Sequence, residues 1–263
     1  MSAPTESAAP AESAAPAWCA DPYADALRAG RGPLYLRRND GWLLPLEVER
    51  WCADADAVDL EVLRRCEGAV LDVGCGPGRL VAALASRGRP ALGVDVSEAA
   101  VAHTLRLGGQ ALLRSVFDPL PGEGRWDTAL LIDGNVGIGG EPRTLLRRIA
   151  RLLAPGGLLI AESAPVDVDE RVHVRVSDGR GAAGTPFPWA RLGAPALLRH
   201  ARRAGFRAEA QWAAGGRSFV ALRRRDALDT RRASSAAEPA NSTAVINSHR
   251  ARNPSPDRLV ADV

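Results

Sequence analysis

The 263-residue chain contains no lysine, so its 34 basic residues are all arginine, set against 31 acidic ones for a formal net charge of +3. Abundant alanine and arginine with a single methionine is the composition that a very GC-rich genome gives, so the arginines alone do not mark a nucleic-acid surface. No apolar run reaches 18 residues, so no transmembrane helix is expected. The N-terminus has no basic stretch followed by an apolar one, so no secretory signal is expected either. The cysteines Cys19, Cys52, Cys66 and Cys75 are irregularly spaced. They make neither a disulfide framework nor a zinc pattern, so no metal site is expected, and a reducing cytoplasm fits them best.

What is present is enough to build a core, since 46% of residues are hydrophobic. They are concentrated in the middle. Residues 1–17 hold Ser, Ala, Pro, Thr and Glu beside the single Met, and 226–263 mix Arg, Ala, Ser, Asn and Pro. Both stretches read as disordered tails, and the charges of the second nearly balance, so it is not a basic arm.

Between the tails, short apolar runs alternate with helical patterns. Strands are expected at 68–73, 91–94, 111–117, 128–132 and 158–161. Helices are expected at 78–87, 98–107, 142–153 and 195–204. This alternation implies βαβ units and a mainly parallel sheet. Segments 208–213 and 218–222, around Gly215-Gly216, read as an antiparallel hairpin at the sheet edge. Arginines such as Arg143, Arg147, Arg148 and Arg151 are expected on outer helix faces.

The informative feature is the turn after the first of these strands, Val70-Leu71-Asp72-Val73-Gly74-Cys75-Gly76-Pro77-Gly78. Its glycines permit a tight turn and let a ligand lie against the backbone. The spacing is G-x-G-x-G, not the G-x-G-x-x-G of dinucleotide sites, and no phosphate-binding lysine follows. Asp72, two residues before the loop, disfavours a pyrophosphate and suits a ligand with a cationic end. The next strand ends in Asp95, where a carboxylate can accept hydrogen bonds from vicinal ribose hydroxyls. Ser97 is the better cap for the helix that follows.

Three segments together, VLDVGCGPGRL (Val70 to Leu80), GVDVS (Gly93 to Ser97) and LLAPGGLLIAE (Leu152 to Glu162), resemble the class I S-adenosylmethionine-dependent methyltransferases. The resemblance covers about Gly68 to Arg223. It implies an α/β fold with a doubly wound, seven-stranded, mainly parallel sheet and an antiparallel C-terminal strand, and S-adenosyl-L-methionine as cofactor. It implies that Asp72, Gly74, Cys75 and Gly76 surround the amino-acid end of the cofactor, with Gly78 keeping the helix close. Asp95 would hold the ribose, Val96 would pack on the adenine, and Val116 would contact it through its backbone. Ser115 stands where family members often carry an acidic residue, and Asp118 is either a substitute for it or a turn residue before Pro119. Asp133, in Asp133-Gly134-Asn135, would face the methyl group, bind the cofactor ammonium or act as the catalytic group.

The expected methyltransferase domain is 18–225, with 18–66 as an N-terminal helical cap. The cap carries Tyr23, Tyr35, Trp42 and Trp51. An insert at 166–193 carries the alternating strand Arg171 to Val176, with His173 as a possible general base. Its Pro186-Phe187-Pro188-Trp189 reads as a rigid aromatic turn at the cleft rim. The expected activity is methyl transfer to an unidentified small-molecule acceptor, with nucleic acid and membrane not expected as partners. The alternatives are a non-catalytic methyltransferase-like binding domain and an RNA methyltransferase.

Overall fold

A computed structural model describes residues 21–226. The expected tails, 1–17 and 226–263, lie outside the described residues apart from Asp226. In chain order, helix α1 (Asp21–Ala29) leads to strands β1 (Tyr35–Arg38) and β2 (Leu43–Pro45), then to α2 (Val48–Cys52) and α3 (Ala57–Arg64). A strand–helix alternation follows: β3 (Val70–Val73), α4 (Arg79–Ala85), β4 (Ala91–Asp95), α5 (Glu98–Arg106), β5 (Ala111–Leu113), β6 (Trp126–Leu131), α6 (Pro142–Leu152) and β7 (Leu153–Ser163). Strands β8 (Asp169–Ser177) and β9 (Phe187–Leu192) are inserted before α7 (Ala194–Arg203), β10 (Phe206–Ala214) and β11 (Arg217–Arg224).

The main sheet has seven strands in the order β10-β11-β7-β6-β3-β4-β5. Strands β3 to β7 within it pair parallel, and β11 runs antiparallel to both β7 and β10. This is the expected doubly wound, mainly parallel sheet with an antiparallel C-terminal strand. β3 is buried at all four positions, as a parallel strand covered on both faces must be. Leu131 and Leu71 pack with Leu145, Leu146 and Leu197 of α6 and α7. Leu130 and Val70 pack on the other face with Leu63 of α3 and Leu80 and Leu84 of α4. Two buried layers on one sheet make the three-layer architecture. The β10–β11 hairpin turns at Gly215 (φ 55°) and Gly216 (φ 77°), a pair of left-handed residues that only glycine supplies without strain.

Three expectations about the elements need correction. The segment 18–66 is not a purely helical cap. Leu34 and Leu36 are buried while their neighbours face outward, a period of two, and the Asn39-Asp40-Gly41 turn (Gly41 φ 91°) folds β1 against β2. These strands join the insert in a second antiparallel sheet, β2-β1-β8-β9. The third core strand ends at Leu113, because Ser115 to Asp118 form a turn in which Ser115 N and Phe117 N are held by the Asp118 and Ser115 side chains. Pro186 to Trp189 is not a turn: Phe187, Pro188 and Trp189 belong to β9 and pair with Val174, His173 and Val172.

The second sheet has its own core, in which Leu36, Val174, Val176, Phe187 and Trp189 pack with Tyr23 and Leu27 of α1. Among the arginines of α6, Arg147 and Arg151 are exposed as expected, but Arg148 is 5% exposed. It donates to the carbonyls of Val116 (2.8 Å) and Asp118 (2.6 Å) and to Glu123 (2.6 and 3.0 Å), fastening the loop after β5. Among the described residues no helix is long and apolar enough to cross a membrane.

Candidate active site

A cleft of about 690 Å³ opens where β3, β4 and β6 end, and the second sheet and α2 form its other wall. In open α/β sheets ligands bind at these carboxyl ends. Gly74 N and Cys75 N both donate to Val94 O, at 2.8 and 3.1 Å, which folds the glycine loop back over β4. Asn135 Nδ2 donates to the carbonyls of Val73 and Gly74 at 3.0 and 2.8 Å and lies where a Cβ on Gly74 would stand. Gly78 caps α4 at φ 91°, and a Cβ there would overlap the Thr104 side chain, so the helix starts close against α5. The Cys75 thiol is buried, faces Gly93, and burial pushes its pKa well above the ordinary range, so it packs rather than reacts.

Asp95 is 8% exposed and stands in the wall of the cleft. Its Oδ2 accepts from Gly76 N at 2.9 Å and its Oδ1 from Ser97 N at 2.8 Å, and the Val96 amide also bonds the carboxylate. Ser97 caps α5 by accepting from Ala100 N, so capping does not consume Asp95. Tyr23 of α1 lies over the loop with its hydroxyl near Gly76. Burial and the charge of Asp95 hold that phenol neutral. Asp72 sits behind the loop rather than in the cleft wall, and its Oδ2 is buried without a partner. Burial, reinforced by Asp133, Asp95 and Asp59 and opposed by Arg79, pushes its carboxyl up to about 7.

The floor of the cleft holds a charge cluster. Asp133 Oδ1 receives Arg50 Nη2 at 2.7 Å and Arg217 Nη2 at 3.4 Å, and its Oδ2 receives Arg79 Nη1 at 2.8 Å. Asp59 takes Arg79 Nε at 2.7 Å and Arg217 Nη1 at 2.8 Å, and Glu162 takes Arg217 Nη2 at 2.7 Å. Burial alone would raise the Asp59 carboxyl, but the hydrogen bonds and charges of Arg79 and Arg217 override it and bring it down to about 2. Asp133 adopts φ 58°, an unusual backbone for a residue with a side chain, and its N–H donates to Glu162 Oε2 at 2.8 Å. The expectation that Asp133 acts on the substrate meets this arrangement: three guanidiniums already occupy its carboxylate.

Of the residues expected at the site, Gly74, Cys75, Gly76, Asp95, Val96, Val116 and Asp133 line the cleft, as does Ser115, while Asp72 and Gly78 stand behind it. His173 is exposed on β8 and does not line it. Arg50, Asp59, Arg79, Glu162 and Arg217 were not singled out by their sequence context. Asp59 and Arg217 meet across 158 residues of chain, and no local pattern announces that pairing.

Residues 70–157 match the family model described as a methyltransferase domain. No curated protein matches the chain. Its structure is similar to that of an S-adenosylmethionine-dependent methyltransferase from Bacteroides fragilis in complex with S-adenosylhomocysteine, with a TM-score of 0.63 and 23% identity over 76% of this chain and 91% of that one. It is similar also to an S-adenosylmethionine-dependent methyltransferase from Methanosarcina mazei (TM-score 0.51, 15% identity, 66% and 100% covered). The glycopeptide N-methyltransferase MtfA complexed with S-adenosylhomocysteine resembles it to a comparable degree (TM-score 0.51, 17% identity, 65% and 90% covered). Residues 70–157 thus match a methyltransferase domain, and the described part of the chain has the fold of the S-adenosylmethionine-dependent methyltransferases to which it is similar.

Proposed function

We propose that the chain transfers a methyl group from S-adenosylmethionine to a small-molecule acceptor held between the main sheet and the second sheet. The observation that carries this is the division of one cleft into two kinds of wall. The glycine loop, Asp95, Val96 and Val116 make a polar cradle, whereas Leu36, Leu44, Leu46, Trp51, Phe187 and Trp189 make an apolar, aromatic chamber facing it.

The residues present fit the cofactor. Asp95, a carboxylate in the cleft wall at the end of β4, would accept from the ribose hydroxyls, and the Val96 side chain and Val116 backbone would lie beside the adenine. Gly74, Cys75 and Gly76 let the amino-acid end approach the main chain. Asp72, with an unpaired buried oxygen behind the loop and a carboxyl pushed up to about 7, would be favoured in its ionised form by an ammonium bound at the loop. Arg148 positions Val116 by holding its carbonyl. When bound, S-adenosylmethionine supplies a methyl on a sulfonium that is already strongly electrophilic. The protein then aligns the acceptor and keeps water out.

The cleft-lining carboxylates are engaged: Asp133 and Glu162 with arginines, Glu47 with Arg50 at 2.6 Å, and Asp95 with backbone amides. The histidines His103, His173 and His200 do not line the cleft. This supports an acceptor that brings its own lone pair, and Asp133 is a positioning group rather than a base. The arginines of the cleft floor are spent on carboxylates, which counts against a phosphate-binding track and an RNA substrate. The domain that does this is 18–225. A cytoplasmic location is proposed on the free thiols of Cys52, Cys66 and Cys75.

The test is transfer of labelled methyl to a panel of small aromatic nucleophiles and, in parallel, to RNA. Label is expected in the small molecules. Label in RNA alone, or in no acceptor although the cofactor binds, contradicts the proposal.

A further inference from the structure

Arginine holds a carboxylate side-on through Nε and Nη2 together, a fork that matches the two carboxylate oxygens. The chain uses this edge on its own carboxylates. Arg79 holds Asp59 with it at 2.7 and 3.1 Å, Arg217 holds Glu162 at 3.0 and 2.7 Å, and Arg223 holds Glu209 in the same way. Arg191 of β9 presents the edge with nothing on it. Its Nη1 donates to Glu170 Oε2 at 3.0 Å, while Nε and Nη2 have no hydrogen-bond partner among the described residues, and neither atom is buried.

Arg191 lines the cleft on the acceptor side. Alternate residues of a strand share a face, so Arg191 leaves β9 on the side of Phe187 and Trp189, which is the side of the apolar chamber. By the same period Trp42, at the head of β2, shares the side of Leu44 and Leu46. Strands β2 and β9 are opposite edges of the second sheet, with β1 and β8 between them. The Arg191 guanidinium nevertheless stands over the Trp42 ring at 4.8 Å, so the two side chains meet across the face that the chamber uses. Trp42 and Glu170 fix the guanidinium. Glu170 does not line the cleft, and the Nε–Nη2 edge lies across the guanidinium from the Nη1 that Glu170 holds. The other cleft-lining arginines are committed or lie elsewhere. Arg50 is held by Glu47 and Asp133, and Arg114 is exposed after β5, beside Ser115 and Val116.

We propose that the Nε–Nη2 edge of Arg191 binds a carboxylate on the methyl acceptor, which makes the acceptor an aromatic or apolar carboxylic acid. The inference rests on reading the cleft as a methyltransferase site. The chamber then takes the apolar body of the acceptor, and Arg191 sets which end of it points away from the walls.

The experiment is calorimetric titration of the full chain, saturated with S-adenosylhomocysteine, using two matched pairs: indole-3-acetate with indole-3-acetamide, and 1-naphthoate with 1-naphthamide. The carboxylate of a pair is expected to bind about 10- to 100-fold more tightly than its amide, the worth of a charge-assisted fork. Arg191→Gln should abolish that preference and leave the amide within about threefold, and Arg191→Lys should recover part of it. A merely structural role for Arg191, as a clasp on Trp42, would weaken acid and amide alike, and that result overturns the assignment. So does an unaltered chain that binds neither carboxylate at millimolar concentration, or shows no preference for it, a result that decides the matter even if Arg191→Gln does not fold. Binding of S-adenosylhomocysteine is read first and separately. Its absence removes the reading of the cleft and this inference with it, whereas its presence without a carboxylate preference removes this inference alone.

Discussion

At the glycine-loop end of the cleft the groups that build the site are main chain: the loop amides donate to Val94 O and to the Asp95 carboxylate, and Asn135 donates to Gly74 O. At the other end they are side chains gathered from α2, α3, the start of α4, the ends of β6 and β7, and the start of β11, held by ion pairs. The two ends also bury charge in opposite ways. Asp72 is buried with one oxygen unpaired, and its carboxyl is pushed up to about 7. Asp59, as deeply buried, is paired with two guanidiniums and brought down to about 2. Burial sets the cost in both places, and the presence of a cation decides the sign.

Breaking the paired end has the largest expected effect. Arg79→Met leaves Asp59 and Asp133 short of a buried cation, and should cost about 3–5 kcal/mol in urea unfolding. A loss below about 1 kcal/mol would mean that the cluster is solvated and that the contrast between the two ends is false.

The pH dependence comes next and has opposite signs at the two ends. Asp72 binds its proton more tightly folded than unfolded, so its contribution is present below about 4 and is lost as pH rises to about 7, on the order of 4 kcal/mol at most. Asp72→Asn should flatten that slope. Asp59 binds its proton more weakly when folded, so its contribution is present above about 4 and is lost as pH falls toward 2. Urea midpoints between pH 3 and 8, with and without Asp72→Asn, check both signs. An unchanged slope from pH 4 to 7 in Asp72→Asn would show that Asp72 is not the group responsible.

The smallest effect is expected outside the cleft. His173→Gln, on the exposed face of β8, should change stability by less than about 0.5 kcal/mol and leave methyl transfer unaltered. A large fall in turnover would return His173 to the role of base.

The same contrast explains what was legible in the sequence. The glycine loop, Asp95 and the Ser97 cap are local. Each is a residue type at a fixed offset from a strand end, and the hairpin at Gly215-Gly216 is read in the same way. The parallel sheet follows from strand and helix periods. The second sheet was less readable because β1 and β8 lie far apart in the chain, although the Asn39-Asp40-Gly41 turn was a local signal for β1 and β2. Arg148 was assigned to a solvated face because a helix pattern does not show that the loop after β5 brings free carbonyls to it. The charge cluster was invisible for a related reason. Arg50, Arg79 and Arg217 look like any other arginines in a lysine-free chain until the fold brings Asp59, Asp133 and Glu162 to them.

The central claim is that the cradle formed by the glycine loop and Asp95 holds S-adenosylmethionine. Calorimetric titration of the unaltered chain and of Asp95→Ala with S-adenosylmethionine tests it most directly. The account predicts saturable one-to-one binding that Asp95→Ala weakens by at least about 100-fold, through loss of two hydrogen bonds to a carboxylate. No binding at millimolar cofactor, or equal affinity in the two proteins, would contradict it.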